Sequence, residues 1–222
     1  INSSMKDVDE MIKRFADADI ENVLALRGDI VPDVAIKREF EHSNELAIEV
    51  QRNSGLQILG ACYPEGHTES KNLIEDIHNL KYKIGAGAKV LITQLFFDNS
   101  KYFEFVKRAR EMGIDIPIIP GIKPLHRASQ LNVLPKTFHV DLPGDLVKEV
   151  LNCKDDAAVA QVGLEWGIQQ CKELKNSGDN VKLITDHSCS VESITEFCSK
   201  NNLSVEIQEP MNGIWELHIT KP

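Results

Sequence analysis

Three short apolar runs in this chain each end abruptly in polar residues. Leu24-Ala25-Leu26 runs into Arg27-Gly28-Asp29, Ala61-Cys62 into Tyr63-Pro64-Glu65-Gly66-His67, and Ile92-Thr93 into Gln94-Leu95-Phe96-Phe97-Asp98. Asp29, Tyr63 and Gln94 place a carboxylate, a phenol and an amide at these ends, a set able both to accept and to donate hydrogen bonds. In a parallel α/β architecture a site is built at the C-terminal ends of strands. Asp29, Tyr63 and Gln94 are therefore expected to share one pocket. Taken singly, each block reads equally well as a strand running into a turn.

Such ends need a regular alternation of strands and helices to position them, and the hydrophobic pattern supplies one. Helices are expected over Ser4 to about Ala18, Glu39 to about Arg52, His67 to about Ala86, and Ser100 to Met112. Strands are expected over Asn22–Leu26, Leu56–Cys62, Lys89–Thr93 and Ile116–Ile119. Strand and helix in turn mean parallel strands joined by crossover helices. Three helices follow, over Leu125–Val133, Leu142–Asn152 and Asp155–Lys175, and then a fifth strand at Val181–Ile184. A helix at Val191–Lys200 precedes two alternating stretches, Leu203–Gln208 and Ile214–Thr220, with Asn212-Gly213 between them as a hairpin turn. A domain boundary is expected near Ser177–Asn180.

The composition narrows the function classes. A formal net charge of −9 leaves no basic stripe to displace counterions, so no nucleic-acid partner is expected. No run approaches the ~18 apolar residues of a membrane span, so no membrane partner is expected. The five cysteines lack CxxC spacing, which fits reduced thiols in a cytoplasmic protein better than disulfides or a metal site.

Several ordered blocks resemble the methylenetetrahydrofolate reductase family over about residues 1–178. They are Leu26-Arg27-Gly28-Asp29, Tyr63-Pro64-Glu65-x-His67 and Asp76-x-x-Asn79-Leu80-Lys81-x-Lys83. Gly85-Ala86-Gly87-Ala88, Thr93-Gln94-x-Phe96-Phe97-Asp98, Ile119-Pro120-Gly121-Ile122-x-Pro124 and Val162-Gly163-x-Glu165-Trp166-Gly167 continue the series. The resemblance implies a (β/α)8 TIM barrel that uses FAD and NAD(P)H to reduce 5,10-methylenetetrahydrofolate, in one-carbon and methionine metabolism. It places Arg27, Gly28 and Asp29 along the flavin, with Asp29 near the reactive ring, and Ser43, Tyr63 and His67 beside the cofactor. Asp76, Asn79 and Lys83 would hold its ribityl and diphosphate portion. Gln94 would bind the folate and Gln130 the folate or the nicotinamide, and Asp29 and Gln94 would be the catalytic pair.

The residues themselves agree with these roles. Asp76, Asn79 and Lys83 share one helical face at i, i+3 and i+7. Lysine meets a diphosphate as a point charge, and Asp and Asn bond sugar hydroxyls. A solvated helix face, a buried amide at Gln94, and a helix cap or an Arg27 ion pair at Asp29 are the plainer readings of the same residues.

The chain also departs from the family's pattern. The opening strands that carry the family's general-acid glutamate are not found, and five strands are too few for a closed barrel. The expected fold class is α/β, a partial (β/α)8 TIM barrel of about the last five strands with an α+β C-terminal appendage. Residues 1–178 would form the partial barrel and 179–222 a β-α-β-β segment. An oligomer or a partner subunit is expected to cover the open sheet edges, and this chain alone is expected to fail at the folate step. The alternative is a non-catalytic or partner-requiring flavin/folate-binding fragment. His42 and Leu134 stand where the family has aromatics, and Tyr82 where it has a basic residue. The segment from Thr185 onward resembles small sulfur-carrier proteins of the tRNA-thiolation type without their Cys-Pro motif. Cys189 there is read as a structural thiol, with a reactive thiol as the alternative.

Overall fold

The computed structural model describes residues 3–28, 39–176, 183–185, 195, 199, 204–211 and 214–220. The chain divides into two compact units, Ile1–Gln170 and Cys171–Pro222.

The first unit alternates α1 (Met5–Asp17), β1 (Asn22–Ala25), α2 (Ser43–Asn53), β2 (Gln57–Cys62), α3 (Leu73–Gly85), β3 (Ala88–Leu95), α4 (Asn99–Glu111) and β4 (Ile118–Gly121). Three further helices follow, α5 (Gln130–Phe138), α6 (Gly144–Leu151) and α7 (Asp156–Asn176). The four strands form one parallel sheet in the order β1-β2-β3-β4. This is the α/β arrangement expected of part of a (β/α)8 barrel.

Local chemistry sets the helix starts. Ser4 caps α1 by accepting the Asp7 N–H, and the Asp7 carboxylate takes the Ser4 N–H in return. The helix expected from Glu39 begins instead at Ser43, because the Glu45 carboxylate accepts the N–H groups of Glu41 and His42. The helix expected from His67 begins at Leu73, where Asn72 Oδ1 caps the Glu75 N–H at 2.9 Å. Likewise α5 starts at Gln130 and not at Leu125, since the His126 and Arg127 N–H groups bond the Gln130 side chain.

Apolar clusters at both ends of the sheet's sequence help to hold this unit. Val8, Ile12, Phe40, Ala47, Val50, Ile58 and Ala88 pack α1 and α2 against the first strands. Leu95, Phe97, Leu125, Leu134, Val140, Leu146, Val150 and Val159 form the second, which includes the Leu134 noted above. Tyr102 stacks on Phe96 at 5.5 Å and donates to the Ile118 carbonyl at 2.9 Å, fixing α4 over β3 and β4. From α7, Trp166 donates to Phe97 O at 2.9 Å and Gln170 to Phe96 O at 3.1 Å, which anchors that helix to the end of β3.

The second unit contains β5 (Leu183–Thr185), β6 (Ser204–Met211) and β7 (Ile214–Thr220) in an antiparallel sheet of order β5-β7-β6. The parallel sheet thus has four strands among the described residues. The segment expected as its fifth strand pairs antiparallel with β7, Leu183 opposite Leu217 and Thr185 opposite Trp215. A short apolar run fixes strand character but not its partner, and β7, paired with β6 on one side, offers it a ladder on the other. The turn at Asn212-Gly213 and most of the expected helix Val191–Lys200, with Cys189, lie outside the described residues. Among the described residues, Cys62, Cys153 and Cys171 are free thiols, and no helix is long and apolar enough to cross a membrane.

Candidate functional site

The C-terminal ends of β1, β2 and β3 open into one cleft of about 770 Å³. Leu24, Leu26, Ala61 and Ile92 give it apolar surface. The first turn of α2 contributes His42, Ser43 and Asn44, the β2–α3 turn contributes Tyr63, His67, Glu69 and Ser70, and α3 contributes Asp76, Asn79, Tyr82 and Lys83.

Asp76 is the buried acid of this wall. Its carboxylate accepts the His67 N–H at 3.2 Å and the Ser70 hydroxyl at 3.1 Å. Burial pushes its carboxyl above the usual carboxylate range, and Ser70, Lys83 and His67 oppose the shift. Lys83 lies two turns further along the same face and donates to the Ala61 carbonyl at 2.6 Å. Burial pulls its ammonium below the usual lysine range, with Asp76 opposing. The same ammonium lies 5.6 Å from the Tyr63 ring centroid, within cation–π reach. The Tyr63 and His67 rings meet edge to face at 4.6 Å. The Glu69 N–H points to His67 Nδ1 at 3.2 Å, so a neutral His67 ring carries its proton on Nε2.

Arg27, just beyond β1, makes a bidentate pair with Glu69 at 3.0 and 2.6 Å, and this pair holds the Glu69 carboxyl below the usual range. The next residue, Gly28, has φ of +79°, a left-handed conformation that favours glycine where the chain leaves the strand. At the end of β3, Gln94 accepts the Leu95 N–H through Oε1 at 2.9 Å, and its NH2 group makes no hydrogen bond among the described residues. Beneath the cleft, Cys62 is fully buried, and burial drives its thiol far above the usual range, so it stays protonated.

Nine of the eleven residues singled out from the sequence line this cleft: Arg27, Gly28, Ser43, Tyr63, His67, Asp76, Asn79, Lys83 and Gln94. Asp29 lies outside the described residues. Gln130 is buried at the start of α5, where Oε1 accepts the N–H groups of His126 and Arg127 at 2.7 and 3.0 Å, away from the cleft lining. Sequence reasoning missed Glu69 and Ser70. Nothing in their spacing marks them, because Glu69 meets an arginine 42 residues earlier and Ser70 a carboxylate on the following helix.

The methylenetetrahydrofolate reductase family model matches residues 1–200. The chain belongs to the methylenetetrahydrofolate reductase family. It is 32% identical over 183 residues to methylenetetrahydrofolate reductase 1 of Schizosaccharomyces pombe, covering 80% of this chain and 30% of that protein. It is 34% identical over 160 residues to the 5,10-methylenetetrahydrofolate reductase of Escherichia coli, covering 72% of this chain and 53% of that protein. The chain thus spans about half the length of its bacterial relatives and less of the eukaryotic ones. A solved structure, an uncharacterized protein from Clostridium thermocellum that binds two copies of 5-methyl-5,6,7,8-tetrahydrofolic acid, superposes with a TM-score of 0.53 at 16% identity. That match covers 78% of this chain and 57% of the other, and at this identity the likeness is one of fold. Within this reductase-family chain, the family match runs past residue 178 into the segment where the sulfur-carrier resemblance was noted.

Proposed function

We propose that this chain supplies the flavin- and folate-facing surface of an FAD-dependent enzyme that reduces 5,10-methylenetetrahydrofolate with NAD(P)H. The observation that carries the proposal is the convergence of nine expected residues on one cleft at the strand ends. Its volume lies within the ~300–1,000 Å³ usual for small-molecule sites. The donor set fits a flavin dinucleotide, with apolar surface for a ring system, a buried acid and an exposed amide for sugar hydroxyls, and a desolvated cation for a diphosphate. When bound, FAD would relay a hydride from NAD(P)H to the methylene carbon, giving 5-methyltetrahydrofolate.

Lys83 holds a diphosphate as a point charge, strengthened by its low-dielectric surroundings. Asp76 and Asn79 orient the polyol chain, and Asp76 keeps Lys83 charged. Tyr63 and His67 bound the cofactor with two mutually braced rings, and Ser43 abuts it from α2. Arg27, fixed by Glu69, and Gly28 border the ring system. Asp29 is assigned the place beside the reactive ring, where its negative charge favours a cationic substrate. Gln94 offers the pterin edge a donor and an acceptor. Opening the folate ring requires a proton for a poor amine leaving group, and none of the residues assigned here has that task.

β1 and β4 each have one strand partner among the described residues, which supports a covering subunit or a further segment. A cytoplasmic location belongs to the same proposal.

The test is anaerobic. The chain loaded with FAD is expected to bleach on addition of NADH or NADPH and to form little 5-methyltetrahydrofolate by itself. Failure of both nucleotides to bleach the bound flavin would refute the oxidoreductase assignment, and rapid folate turnover would refute the missing proton donor.

A further inference from the structure

Glu65 stands between Tyr63 and His67 in the β2–α3 turn, yet it does not line the cleft. Its Oε2 accepts the main-chain N–H of Asp141 at 3.0 Å, a contact that spans 76 residues of sequence. Its Oε1 is closed off from solvent and has no hydrogen-bond partner among the described residues. The Asp141 carboxylate is paired in turn with Lys101, in the first turn of α4, at 3.3 Å. Side chains from the turn, from α4 and from the segment before α6 therefore meet at one point.

Gly66 reverses the chain with φ of +90°, and its N–H bonds back to the Tyr63 carbonyl. The two rings on either side lean on each other inside the cleft. We propose that Glu65 is a positioning residue, which grips Asp141 and so holds the turn that presents Tyr63 and His67 to the cleft. Its service to the cofactor rests on the flavin reading above; its hold on the turn does not.

An ionised carboxylate with one oxygen buried and unpartnered is costly, and it becomes costlier beside a second carboxylate. A proton on that oxygen removes both costs and supplies a donor for the Asp141 carboxylate. Burial pushes the Glu65 carboxyl up, as does the Asp141 charge, against the Asp141 N–H and Lys101. The neutral form therefore makes a two-point grip, accepting from the main chain and donating to the side chain of one residue. Glutamine has the same pattern of acceptor and donor, and alanine has neither.

Three full-length variants test the proposal: Glu65→Ala, Glu65→Gln and Glu65→Asp. Native-state amide exchange follows Gly66 and Ser70, whose N–H groups bond within the turn to the Tyr63 and His67 carbonyls. Glu65→Ala is expected to speed both about tenfold, with α1 amides unchanged, and to raise the Kd for FAD about tenfold. Glu65→Gln is expected to keep the parent values for both within about twofold, since it restores the grip. If Glu65→Ala does not fold, Glu65→Asp, one methylene short of Asp141, is expected to show the same effects at about threefold. Parent exchange rates in Glu65→Ala overturn the proposal, as does a Glu65→Gln variant as impaired as Glu65→Ala. Faster exchange with unaltered FAD affinity overturns it as well, because the turn would then be held without serving the cleft. If the parent itself binds no FAD, the flavin reading fails, and the exchange rates alone decide whether Glu65 holds the turn.

Discussion

The α3 wall of the cleft and the β4–α5 connection both bury polar side chains, and they treat them differently. In α3, Asp76 and Lys83 are opposite charges held in a desolvated setting that pushes each toward neutrality. Lys83 has three N–H donors and one carbonyl acceptor among the described residues. In the β4–α5 connection, Gln130 is uncharged and its oxygen is satisfied twice by the main chain. A buried amide that completes the backbone's own hydrogen bonds stabilises the fold where it stands. Buried charges with unused bonding capacity, facing a cavity, cost stability until a ligand meets them. The contrast separates scaffold from site without reference to any relative.

The largest effect should come from the scaffold. A Cβ added at Gly163 of α7 would land on the backbone nitrogen and carbonyl of Leu125, neither of which can rotate away. Gly163→Ala is expected to cost about 3 kcal/mol or more, read from the urea midpoint. An unchanged midpoint would mean that the β4–α5 connection is soft, and the comparison would break.

Lys83→Met should divide the two properties. Flavin affinity is expected to fall about a hundredfold, from loss of about 2–3 kcal/mol at a desolvated charge. Unfolding stability should change by less than about 1 kcal/mol, because a half-buried cation gives way to an apolar chain of similar length while Asp76 keeps its bonds from His67 and Ser70. A parallel loss of both would make Lys83 scaffold.

How far such a contrast could be read from sequence differs between the two regions. The i, i+3, i+7 spacing of Asp76, Asn79 and Lys83 places them on one face whatever the surroundings, because helical periodicity is local. The strand ends at Arg27, Tyr63 and Gln94 were legible for the same reason, as apolar runs stopped by polar residues. Long-range contacts were not. The Arg27–Glu69 pair and the Glu65–Asp141 grip join segments whose proximity is set by the packed sheet. Gln130 was placed at the folate or the nicotinamide by the family resemblance alone, and its residue type does not tell a side chain that caps a turn from one that faces a cavity. The helix starts at Ser43 and Leu73 slipped because side-chain caps interrupt an apolar periodicity that alone runs several residues further back. The segment at Leu183–Thr185 was recognised as a strand, but strand pairing is a tertiary choice.

The two glutamines sharpen the comparison at smaller scale. Gln130→Ala is expected to lose about 1–2 kcal/mol of stability, with two backbone donors left unpaired. Gln94→Ala, which removes one bond to its own neighbour, should lose less than about 0.5 kcal/mol and instead weaken folate binding. Urea unfolding and folate titration of both variants check this. Equal effects in both assays would erase the distinction.

The smallest effect is a pH trend at Asp76. Its folded-state value is raised, so its contribution to stability is complete below the ordinary aspartate range and is lost as pH rises through the raised value. Asp76→Asn removes that loss. The urea midpoint of Asp76→Asn relative to the parent should therefore climb as pH rises, and a difference that is flat or falls with pH would contradict the burial argument.

The most direct test is the visible absorption spectrum of the chain after incubation with FAD and removal of free cofactor. Retained flavin absorbance in the parent, lost in Lys83→Met, is the predicted result. A colourless parent protein that still unfolds cooperatively would contradict the assignment of this cleft to a flavin.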